Sequence, residues 1–72
     1  MAEERVLSIL REAGASEEEL GQVRRILELW RRGEIGAEDA YFFIIGLARE
    51  RLLPLTPREV SEIRVALGLP RE

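Results

Sequence analysis

The chain has 72 residues, 46% of them hydrophobic and 35% charged, with a formal net charge of −3 at neutral pH. That length supports one hydrophobic core and no second, and the apolar fraction is too high for intrinsic disorder. The acidic balance excludes a broad cationic field of the kind that binds nucleic acid by bulk electrostatics.

Hydrophobic spacing and punctuation predict four helices and no strand. The first runs from about Glu3 to Ala13, with Val6, Leu7, Ile9, Leu10 and Ala13 three and four apart and Gly14 as its stop. Ser16 followed by Glu19 is a capping box, which starts the second helix. That helix presents Leu20, Val23, Leu27 and Trp30 on one stripe and ends at Gly33, with Arg31 and Arg32 in its last turn. The third begins after Gly36 and runs from about Ala37 to Leu52, before Pro54; Ile35 is placed to staple against Ala40. Thr56, Pro57, Arg58 and Glu59 combine a cap, a proline at the first helical position and a reciprocal carboxylate. The fourth helix then carries Val60, Ile63 and Leu67 inward and closes at Gly68 and Pro70. Connections this short imply antiparallel or steeply crossed neighbours. The expectation is a single all-α domain over residues 1–72, with helix three at its centre.

At 100° per residue, helix three places Ala40, Tyr41, Phe43, Ile44, Ile45, Leu47, Ala48 and Leu52 on a face wider than half its circumference. Phe42 and Gly46, four apart, stand outside it among Glu38, Asp39, Arg49 and Glu50. Two readings are open. Helix one or four folds over this arc and buries Phe42, or Phe42 and Gly46 form a knob and notch for another chain. The candidate interface on the second reading is Phe42, Gly46, Tyr41, Ile45, Trp30 and Arg49. Trp30 is itself divided between core and surface, and its stripe with Val23 and Leu27 favours core.

Helix two carries the one local basic cluster, Arg24, Arg25, Arg31 and Arg32. Guanidinium groups suit phosphates or an acidic partner, but Glu28 is four residues from both Arg24 and Arg32, so a solvated, salt-bridged face is expected. Residues Leu55 to Glu59, LTPRE, resemble the opening of the helix-turn-helix domain in the LuxR class of transcription regulators. In that family a second, recognition helix follows; here helix four is followed by Gly68, Leu69 and Pro70, so the DNA reading that the resemblance would imply is not carried over to this segment.

The residue types absent are as informative as those present. No Cys and no His occur, which removes disulfides, thiolate nucleophiles, imidazole bases and nitrogen- or sulfur-ligated zinc. All 11 basic residues are Arg, so no Lys is available for a Schiff base or a phosphate loop. Asn is missing, and Gln22, Thr56 and Asp39 are each the sole residue of their type, a composition that suits a heat-stable protein or a GC-rich genome. The turn from Gly33 to Asp39 is too short for an EF-hand, and Glu59 with Glu62 lacks a partner for acid–base work. No catalysis, cofactor, metal or small-molecule substrate is expected. The longest apolar run, Ala40 to Ala48, is nine residues, short of a membrane span, and the acidic start MAEERV is unlike a signal peptide. These features lead to the expectation of a cytoplasmic protein-interaction module, structural, adaptor or regulatory, that self-associates through helix three. The alternatives are a small transcription- or nucleic-acid-associated regulator acting through the Arg cluster, and a phage-type inhibitor of a host enzyme.

Overall fold

The computed structural model describes residues 2–71 and contains four helices: α1 (Ala2–Glu12), α2 (Glu17–Arg31), α3 (Ala37–Glu50) and α4 (Pro57–Ala66). No strand occurs among the described residues, so the all-α four-helix architecture is the one the periodicity predicts. Both capping boxes form. Ser16 Oγ accepts from the Glu19 amide at 3.1 Å while Glu19 Oε1 accepts from the Ser16 amide at 2.8 Å. Thr56 and Glu59 repeat the arrangement at 3.1 and 2.9 Å.

All four helices end in the same way. Just past each end, an amide reaches back across the last turn: Ala15 to the Leu10 carbonyl, Glu34 to Leu29, Leu53 to Ala48 and Leu69 to Arg64, at 2.8 to 3.0 Å. This six-to-one closure needs a left-handed residue just before the donor. Gly14, Gly33 and Gly68 hold that position in three helices, with φ of 107°, 77° and 82°; Leu52 holds it in the fourth, with φ of 58°. The true stop of α3 is therefore the turn at Leu52 and not Pro54, and the helix is two residues shorter than its apolar pattern suggests. Leu52, expected on the buried face, is swung outward and is 86% exposed.

The helices form a ring in which α1 packs on α2 and α4, and α3 packs on α2 and α4. Ion pairs mark the antiparallel ends. Arg31 near the end of α2 meets Glu3 at the start of α1 at 3.4 Å. Arg51, after α3, meets Glu19 at the start of α2 at 3.5 Å. Arg5 of α1 bonds Glu62 in the second half of α4 at 2.6 Å. These partly exposed pairs are screened by salt and add little stability. Cohesion comes from the interior, where Leu10, Leu20, Ile44, Ile63, Leu67, Val6 and Val23 are fully buried; each such side chain contributes about 1.5–3 kcal/mol on leaving water. Trp30, Ile35 and Val60 are half-buried against that core.

Candidate functional site

Packing between two neighbours buries only Ala40, Tyr41, Ile44, Ile45, Leu47 and Ala48 of α3, an arc of about 160° at 100° per residue. The predicted buried face is wider than that because periodicity counts apolar residues and not the helices available to cover them. Phe43, expected inside, lies at the edge of the arc and is 43% exposed; Phe42, on the outer arc, is 64% exposed. Neither α1 nor α4 covers it. Two aromatic rings thus stand in solvent on consecutive positions of the most apolar helix.

Gly46 lies one turn beyond Phe42, and a Cβ built there meets nothing within 4 Å. Together with Gln22 of α2 and with Phe43, Leu47, Glu50 and Arg51, these residues line a shallow groove along the α2–α3 seam. Phe42 is held from beneath. Its ring meets Tyr41 edge-on with centroids 5.4 Å apart, and the Arg64 guanidinium carbon sits 4.8 Å from the centre of the Tyr41 ring. Arg64 Nε in turn donates to the Pro70 carbonyl at 2.8 Å. Tyr41 and Ile45, placed on the docking face by the sequence reading, are instead buried in the chain's own core; Tyr41 supports the exposed ring from inside. Trp30 packs against the core, as its stripe indicates. Arg49 is exposed on the same side as Phe42, without an ion-pair partner among the described residues. Phe43 belongs to the exposed face although its apolar character places it inside on the helical wheel; it falls 40° beyond the arc that the two neighbouring helices cover.

The Arg cluster of α2 is arranged differently from expectation. Glu28 pairs with Arg31 at 2.8 Å rather than with Arg24 or Arg32, since Arg31 is also drawn toward Glu3 of α1. Arg32 turns to Glu34 at 2.7 Å. Arg24 and Arg25 have no ion-pair partner among the described residues and, with Gly21, Glu28, Leu29 and Arg32, line a second shallow groove. The two carboxylates weighed for acid–base work are engaged structurally: Glu59 closes a cap and Glu62 binds Arg5. The buried Ser61 hydroxyl has no hydrogen-bond partner, and the chain contains no His, Cys or Lys to activate it. Among the described residues no cluster of three or more acidic groups is placed to hold a metal ion, and no helix is long and apolar enough to cross a membrane. Comparison of the chain with protein-family models, with curated proteins and with solved structures gave no match.

Proposed function

We propose that this protein is a non-enzymatic interaction module that docks, and self-associates, through the outer face of α3. The observation that carries this reading is the exposure of Phe42, at 64%, beside the open notch at Gly46. Aromatic anchors dominate interface energies, and a ring held edge-on by a buried Tyr is already oriented for contact. A small domain also gains stability by covering apolar surface with a second chain. The test is molar mass by light scattering across a hundredfold concentration range. The wild-type chain is expected to shift from monomer toward dimer as concentration rises, and Phe42→Ala to raise the dissociation constant at least about tenfold, given the roughly 1.5–3 kcal/mol carried by a buried Phe. A wild-type chain that stays monomeric throughout overturns the self-association.

The unpaired Arg24 and Arg25 favour a second reading, contact with a polyanion or an acidic partner along α2. Binding of random duplex DNA that falls steeply between about 50 and 200 mM salt is the result that supports it; the net charge of −3 argues the other way.

A further inference from the structure

We infer that the occupant of the α3 face is a second copy of this chain, docked antiparallel about a two-fold axis that passes the exposed face at the level of residue 44, midway between Phe42 and Gly46; this rests on the self-association proposed above and adds its register. Four exposed residues carry the argument: Asp39, Phe42, Gly46 and Arg49. Their spacings of three, four and three read the same in both directions, and at 100° per residue they fall within an arc of about 80°. A two-fold contact brings the same patch together from both chains, so it requires a patch complementary to itself. Antiparallel pairing sets Asp39 against Arg49 of the second copy and Phe42 against Gly46 of the second copy, with both relations repeated by symmetry. A charge therefore meets its opposite and a ring meets the position lacking a side chain. Parallel pairing sets Asp39 against Asp39 and Arg49 against Arg49, which repel. Neither Asp39 nor Arg49 has an ion-pair partner within its own chain among the described residues, so both are available for the contact. Phe43, at the flank of the stripe, falls close to the axis and meets its own copy.

One helix of 14 residues per chain is a small contact, near the lower limit of about 1,000 Å² for specific interfaces. The dimer is accordingly expected to dissociate on dilution and to weaken with added salt.

Charge reversal tests the register. Asp39→Arg places two Arg against each other at both ends of the contact, and Arg49→Asp places two Asp there. Each single variant is expected to weaken self-association about tenfold or more. An equimolar mixture is expected to recover it as a heterodimer, and the double variant Asp39→Arg/Arg49→Asp to recover it as a homodimer. The double variant contains both helix-end substitutions, so its recovery separates loss of contact from damage to the fold. Single reversals that leave wild-type affinity, or a double variant as weak as the singles, overturn the antiparallel register. If Phe42→Ala still abolishes the dimer in that case, docking through α3 survives with another geometry; a wild-type monomer overturns both.

Discussion

Leu52 occupies a position that glycine holds at the other three helix ends. A left-handed conformation costs an L-residue with a Cβ about 1–2 kcal/mol, and at 86% exposure the Leu52 side chain recovers almost nothing from packing within the chain. Leu52→Gly is therefore expected to raise stability by about 0.5–1 kcal/mol, after the roughly 0.5–1 kcal/mol that Gly adds to the entropy of the unfolded state. Urea unfolding measures this, and a lower midpoint for the variant would show that the leucine makes a contact worth more than its strain. Glu19 shows the opposite economy: one carboxylate caps α2 through Oε1 and meets Arg51 through Oε2, so a single side chain joins the start of one helix to the end of another.

At the scale of the helix, Gly46 and Gly21 make a matched pair. Both lie in helix interiors, both have open space where a Cβ would be, and neither has a left-handed backbone. Replacing either with Ala is expected to stabilise the fold by about 1 kcal/mol through helix propensity alone. Only Gly46→Ala fills the notch facing Phe42, so it should raise the melting temperature while weakening self-association, and Gly21→Ala should raise the melting temperature without that loss. Equal association by the two variants would remove the notch from the argument. The helices themselves were legible because their signals are local: Ser16 with Glu19, Thr56 with Glu59, and Gly14, Gly33 and Gly68 each act within a turn of their own position. Leu52 gave no such signal, since nothing in its side chain favours the turn it makes; the reach of Leu53 back to Ala48 is what imposes it. Phe42 stood out in the sequence as an aromatic among charges, whereas the exposure of Phe43 and the burial of Tyr41 and Ile45 depend on how much of α3 its two neighbours cover. That is a property of helix number and packing, which periodicity does not encode. The pairing choice of Glu28 was hidden for a similar reason, because Glu3, 28 residues from Arg31, decides it.

Across the whole molecule the four helices close a ring, with α4 returning to lie against α1. Ala2 and Arg71, at opposite ends of the described chain, line one shallow cleft together with Arg5, Glu62, Val65 and Ala66. The stabilising contacts are thus arranged around a circuit, and Ala2 and Arg71 flank the same cleft between α1 and α4. A short glycine bridge from Arg71 to Ala2, with new ends opened in the turn between Gly33 and Gly36, interrupts none of the four helices. Such a circular permutant is expected to keep the helical circular dichroism and the core of the parent chain. It should also move the free ends next to the start of α3, where a fused tag would crowd the face that bears Phe42 and leave the old seam between α1 and α4 sealed.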